Sequence, residues 1–256
     1  MEHRQAQAAA RFPALSGLPA TLLNTLRFAY TLLWTAGWIT TSLLLQALTR
    51  RPGLALDMAR TRWAPGLLDP AGGLTVEGAE AIDWSRPYLV VANHQSVIDI
   101  CAVFSAVPVP LRFLLKDEMR RVPFVNWYAR ATGMLFIARD DPRAGPLLRR
   151  QVAALLRSGH CLCLFPEGTR SRDGRLGEFK SGAFQSAIDA GVEVLPIALH
   201  GTGAVLPAAG FFNANPAPMR ATIGAPLATT DCAGAAGRQR LARQAQASVA
   251  AMLARH

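Results

Sequence analysis

Lysine is nearly missing from this sequence. Lys116 and Lys180 are the only two, while Lys and Arg together number 27 against 17 Asp and Glu, so arginine carries the formal charge of +10. Such a surplus reads two ways: as the codon usage of a GC-rich genome, or as a surface suited to anionic lipid, phosphate-bearing substrates or nucleic acid. Aromatic residues are also scarce, at 7%, arginines are spread along most of the chain, and no recognised nucleic-acid motif occurs; together these argue against nucleic acid as a partner. The cysteines at 101, 161, 163 and 232 lack zinc-like spacing, and no metal cluster is evident. Cys161 and Cys163 alternate within an apolar run, which predicts two small buried hydrophobes on one strand face, in a reducing compartment. No G-x-S-x-G elbow occurs, which removes the common serine-hydrolase arrangement. With no internal repeat, low-complexity tract or long linker, 256 residues suit one α/β domain plus a small appendage.

What is present begins with a membrane signal. Residues 28–49, FAYTLLWTAGWITTSLLLQALT, carry no charge and as a helix would span roughly 33 Å at ~1.5 Å per residue, enough to cross the hydrocarbon core. A second uncharged run, 12–26, precedes it and contains Pro13, Gly17 and Pro19. A single transmembrane helix and a pair of helices dipping into one leaflet both fit. A cleaved signal peptide fits poorly, because the apolar region is too long and starts too late. Arg50, Arg51, Arg60 and Arg62 follow the segment and favour a cytoplasmic location for what comes next. The expected division is a membrane-associated helical region over 1–66 and a catalytic domain over 67–256.

From residue 74 onward, strand-like runs alternate with helical ones. The strands are expected at 74–76, 88–92, 111–115, 134–138, 161–165, 192–199 and 219–224; the helices at 97–106, 123–131, 143–157, 179–190 and about 236–254. The alternation predicts an α/β fold, a mixed and largely parallel sheet flanked by helices. Reactive residues in such sheets lie in loops just past the carboxyl ends of strands.

Polar clusters sit at those places. NHQSVID follows the run ending at Ala92. Ser96 and Asp99 match a capping box, which alone would explain them. A helix starting at Ser96 leaves His94 in a turn, where Asp99 can reach one imidazole nitrogen, orient the ring and free the other nitrogen to take a proton. Both readings stand together. FPEGTRSRDG, 165–174, supplies turn amides, the Thr169 hydroxyl and the guanidinium groups of Arg170 and Arg172, an anion site in composition, or else a solvated turn. Arg139 and Lys116 emerge at two further strand ends. His160 and His200 are expected to be structural residues at strand boundaries.

Four blocks in order, NHQSVID, KDEMRRVPFVNWYARATGMLFIAR, FPEGTRS and VLPIALHG, with LTVEGAE and FKSGAFQSAIDAG around them, resemble the bacterial 1-acyl-sn-glycerol-3-phosphate acyltransferases of the glycerolipid acyltransferase family with the H-x4-D motif. The likeness covers about residues 74–225; a mild departure is FIARDD, where the family often has a longer polar run. The resemblance implies His94 as general base, with Asp99 orienting it, for direct attack of a lysolipid hydroxyl on an acyl thioester, backbone amides or a cation steadying the oxyanion. It implies that Arg139 and Arg170 bind the acceptor phosphate, that Gly168 lets the backbone approach, and that Glu167 holds the glycerol portion or the loop. Thr169 joins the same anion site, Pro196 shapes the pocket wall and Lys116 is a basic residue near the site. It implies no cofactor beyond acyl-CoA or acyl carrier protein as donor, lysophosphatidic acid or another lysolipid such as lyso-ornithine lipid as acceptor, and a bacterial inner membrane location with the catalytic domain on the cytoplasmic face. A helical pair before the domain is a family feature and favours the leaflet-embedded hairpin. A basic lipid-binding module without catalysis is the reading from a different class.

Overall fold

The structure is a computed structural model that describes residues 20–138, 144–208 and 212–255. Its frame is a seven-stranded sheet of β1 (Leu74–Glu77), β2 (Leu89–Ala92), β3 (Leu111–Lys116), β4 (Leu135–Ile137), β5 (Cys161–Leu164), β6 (Val194–His200) and β7 (Met219–Ile223), in the order β1-β7-β6-β2-β5-β3-β4. Only β6 and β7 run antiparallel; the remaining pairs are parallel. All seven expected strands are present. The central ones, β2 and β5, are buried at every residue, as continuous apolar runs between two helical layers must be.

The helices are α1 (Ala20–Thr49), α2 (Leu54–Met58), α3 (Ala64–Leu68), α4 (Asp99–Ala106), α5 (Pro123–Thr132), α6 (Ala144–Arg157), α7 (Gln185–Ala190), α8 (Thr202–Val205) and α9 (Gly234–Leu253). Side chains of β2, β3, β5 and β6 alternate between two cores. One core joins Val90, Phe113, Cys161, Cys163, Leu195, Ile197 and Leu199 to α4 and to the α2–α3 segment. The other joins Leu89, Val91, Leu162, Leu164, Val194 and Ala198 to α6, α7 and α9. Cys161 and Cys163 are buried on one face, as their alternation predicts.

α2 and α3 are joined by a π-helical turn, Ala59–Trp63, into one run, with Pro65 in the first turn of α3, where a proline is tolerated. Leu56, Ala59, Ala64 and Leu68 lie in the same core as the sheet, so the expected boundary after residue 66 falls inside α3 and inside the packing of the sheet domain.

α1 is longer than the uncharged stretch. It runs through Arg27 for 30 residues and ends where Arg50 turns left-handed at φ 52°. The hydroxyls of Thr25, Thr31, Thr40 and Thr49 each donate to a carbonyl one turn back, which satisfies them within an apolar helix. Of the earlier apolar run, 20–26 is continuous with this helix, and 12–19 lies outside the described residues. One side of α1 is clasped by the domain along its length. Asn24 exchanges hydrogen bonds with Asn213 and with the Ala214 amide, and Arg27 donates to Ala214 O at 2.6 Å. Further along, Trp34 Nε1 donates to Trp63 O, Trp63 Nε1 donates to Thr35, and Gln46 accepts from the Ala55 amide.

Candidate active site

β2 lies between β5 and β6 in parallel register, Val91 level with Leu164 and with Pro196. The turns leaving β2 and β5 are therefore side by side. Asn93 fixes the first of them: its amide accepts from Leu199 N at 2.7 Å and donates to Leu199 O at 2.9 Å, pinning the end of β2 to β6.

In that turn His94 Nδ1 lies 2.8 Å from Asp99 Oδ2. The same oxygen accepts the amides of Gln95 at 2.7 Å and Ser96 at 2.8 Å, and Asp99 is fully buried. An oxygen that already receives two amide protons receives the imidazole proton as a third, so His94 is the Nδ1–H tautomer and Nε2 presents its lone pair. The dyad contact forms as expected, but the capping box with Ser96 as N-cap does not: the N-cap is Ile98, which makes no side-chain cap. α4 begins at Asp99, three residues beyond Ser96, and Ser96 Oγ accepts the Ile98 amide while donating to Leu206 O at 2.6 Å. The imidazole stacks on Phe165, ring centroids 3.9 Å apart at 11°.

The turn after β5 locks onto the turn after β2. Glu167 Oε1 accepts His94 N at 2.8 Å and Oε2 accepts Gly177 N at 3.0 Å, while Ser171 N donates to His94 O at 2.7 Å. Burial pushes the Glu167 carboxyl above its ordinary range, against the pull of those two amides. Glu167 thus holds the loop, one of the two alternatives expected. A Cβ at Gly177 would lie 2.7 Å from Glu167 Oε2, so only glycine lets this bond form. Gly168 is left-handed at φ +76°, and its open face is covered by Lys180: an added Cβ would lie 2.9 Å from Nζ. The close approach that Gly168 permits is that of the Lys180 side chain. Thr169 and Arg170 follow at the exposed rim of the same turn.

Lys116 closes β3, one strand beyond β5, and pairs with Glu118 at 2.5 Å on the surface. Arg139 lies outside the described residues. Pro196 is not at the pocket wall as expected. It alternates in β6 with residues facing α4, and an added Cβ at Gly224 would meet both its ring and Met252 of α9, which puts it on the opposite side of the sheet. His200 Nε2 meets Leu253 O at 3.0 Å, a structural role.

An apolar cavity of about 1000 Å³ is lined by α1, the α2–α3 run, α4 and α5, and it reaches the turn that carries the dyad without either dyad residue in its lining. Val97, Ile98 and Cys101, from the turn and helix that carry His94 and Asp99, form one wall; Trp38, Ile39 and Ser42 of α1 form another. Burial pushes the Cys101 thiol up to about 12, so this wall is uncharged. The arrangement offers a proton acceptor next to a space for hydrocarbon.

The acyltransferase family profile matches residues 73–200, half of the chain. The chain belongs to the acyltransferase family. Among its relatives it is 36% identical to the chloroplastic 1-acyl-sn-glycerol-3-phosphate acyltransferase of Arabidopsis thaliana, over 64% of this chain and 46% of that one. It is 39% identical to the lyso-ornithine lipid O-acyltransferase of Pseudomonas aeruginosa, over 44% and 43%. The matched segments span about half the length of these curated relatives. The crystal structure of the 1-acyl-sn-glycerophosphate (LPA) acyltransferase PlsC from Thermotoga maritima superposes with a TM-score of 0.74 at 27% identity, covering 92% of this chain and 97% of that one. The family's fold, a mostly parallel sheet preceded by a long apolar helix, is the one described above, and that helix is long and apolar enough to cross a membrane.

Several residues that build the site are not apparent from the motifs: Asn93, Gln95, Phe165, Gly177 and Lys180. All but Gly177 stand inside the quoted blocks, and for Asn93 and Phe165 the partners are 106 and 71 positions away, counting from Asn93 to Leu199 and from His94 to Phe165.

Proposed function

We propose that the chain transfers a fatty acyl group from acyl-CoA or acyl carrier protein to the sn-2 hydroxyl of 1-acyl-sn-glycerol-3-phosphate, giving phosphatidic acid. The observation that carries this reading is His94 Nε2, left free by the Nδ1–Asp99 contact, on a turn whose Val97 and Ile98 line a large apolar cavity. As the acceptor oxygen attacks the thioester carbonyl, Nε2 takes its proton. A C–O bond forms, the C–S bond breaks, and the departing thiolate recovers the proton from the imidazolium. The buried Asp99 carboxylate faces that imidazolium and stabilises it. The cavity receives an alkyl chain, at the upper end of the ~300–1000 Å³ usual for ligand pockets. Arg170, with Thr169 at the rim of the 165–174 turn and Lys180 over Gly168, receives the phosphate; Arg139 is assigned to the same anion by the motif alone, and Lys116 to a basic position near the site. Because α1 is clasped along one side, it lies against the domain at the membrane, immersed in the cytoplasmic leaflet of a bacterial inner membrane.

A lyso-ornithine lipid acceptor is the second reading, supported by the 39% identity to the Pseudomonas enzyme of that name. Acyl transfer by wild type and His94→Ala in liposomes, with both lysolipids competing, tests the proposal. Turnover to phosphatidic acid that falls by about 10²–10⁴ in a folded variant supports it. Preference for lyso-ornithine lipid would replace the acceptor. Liposome binding without transfer by either protein would reduce the chain to a lipid-binding module.

A further inference from the structure

α5 shows an unusual division of its surface. Val125 and Tyr128 line the cavity, Ala129 and Thr132 are buried, and Tyr128 Oη donates to Ala55 O at 2.9 Å. The adjoining stripe, Phe124, Trp127 and Ala131, spaced i, i+3 and i+7, is exposed to solvent, where a helix of a water-soluble surface would carry polar groups. Trp127 is 56% exposed, and Phe124 packs on it edge-on with ring centroids 5.3 Å apart. Val122 extends the patch.

We propose that this face is a second membrane contact, in which Phe124 and Trp127 insert at the headgroup level of an anionic leaflet beside α1. Three observations point to lipid. The composition is interfacial: an aromatic pair flanked by the exposed cations Arg120, Arg121 and Arg130, with the Arg120 guanidinium 4.1 Å over the Phe136 ring. Asp117 pairs with Arg120 and Glu118 with Lys116, so the net positive charge of that flank comes from Arg121 and Arg130. The patch is also continuous with α1, where Gln46 Nε2 donates to Ala131 O at 3.4 Å and Leu45 and Leu48 are exposed alongside. A second copy docked through the same face would bring these arginines against their own counterparts on a chain of net charge +10, which disfavours self-association. Contact at both α1 and α5 would set the leaflet against both walls of the cavity, so that a lipid enters sideways without crossing water.

The four cysteines are buried, so a cysteine placed on the surface can be labelled alone. Trp127→Cys and Phe124→Cys on α5, Leu33→Cys on α1 and Leu147→Cys on α6, each in the full chain, would carry a bimane fluorophore in phosphatidylethanolamine/phosphatidylglycerol vesicles with brominated acyl chains. Leu33 and Leu147 are both strongly exposed and serve as the lipid-facing and water-facing references. The expected result is several-fold quenching by bromolipid at 127, 124 and 33 with none at 147. Labels at 127 and 124 that behave like 147, quenched by aqueous iodide and indifferent to bromolipid, would overturn the proposal. Protection from iodide that follows protein concentration, without bromolipid quenching, would assign the face to a second copy and overturn it as well. The readout needs no turnover, so it stands or falls apart from the acyl-transfer reading.

Discussion

Around His94 the polar atoms are closely partnered, with Asp99 Oδ1 the buried exception: three hydrogens converge on Asp99 Oδ2, both oxygens of Glu167 are filled by backbone amides, and Ser171 and Asn93 tie down neighbouring backbone. α1 is built the other way. It is held by a few hydrogen bonds spread over 30 residues, with an apolar cavity behind it and leucines facing out in front. The first region excludes alternatives, because buried polar groups are costly unless paired and so select one geometry. The second tolerates alternatives, because hydrocarbon contact is non-directional. A proton transfer needs the first kind of construction and a greasy, variable substrate needs the second.

The sharpest way to break this division is Asp99→Asn. The side-chain carbonyl can keep the three N–H donors, so the fold is expected to persist, while the negative charge facing the imidazolium is lost. Turnover should fall by about 10²–10⁴ in steady-state assays with thermal stability little changed; a variant with wild-type turnover would mean that Asp99 is only a cap. An intermediate effect belongs to the cavity. Ser42→Phe adds bulk to a wall where there is room, so it should leave short-chain transfer intact and lower transfer involving long chains by about tenfold, at roughly 1–3 kcal/mol per displaced methylene. A uniform loss across chain lengths would show that the cavity does not measure the chain.

The smallest effect sharpens the comparison from the polar side. Burial raises the Glu167 carboxyl above its ordinary 4.5, so between that value and its folded value the native state holds more protons than the unfolded chain. Stability is therefore expected to fall as pH rises through that window and to level off above it. Glu167→Gln should remove this slope in urea midpoints measured across pH, while its amide leaves one backbone N–H without an acceptor and lowers stability by about 1–3 kcal/mol throughout. An unchanged slope would place the titration elsewhere.

Much of this molecule can be read without coordinates. The seven strands announce themselves because each is a short apolar run bounded by turn residues, and the two reactive turns follow β2 and β5 directly. That the α2–α3 run packs into the sheet's core, and which face of β6 meets the cavity, depend on layer packing that no local pattern carries, so the boundary at 66 and the wall position of Pro196 were out of reach of the motifs.

Chain order by itself determined the inventory: apolar runs of the right length for strands, an uncharged segment fit for lipid, and a histidine and carboxylate spaced for a turn. Only the tertiary structure decided which of these groups meet. It is the register of β2 with β5 that sets Glu167 against the His94 amide 73 residues away, and the clasp on α1 that makes a cavity from two surfaces distant in sequence. Local order encodes local conformation, because propensity and period act over a few residues. The site depends on contacts whose partners are set by sheet order and packing, which no short stretch of sequence contains.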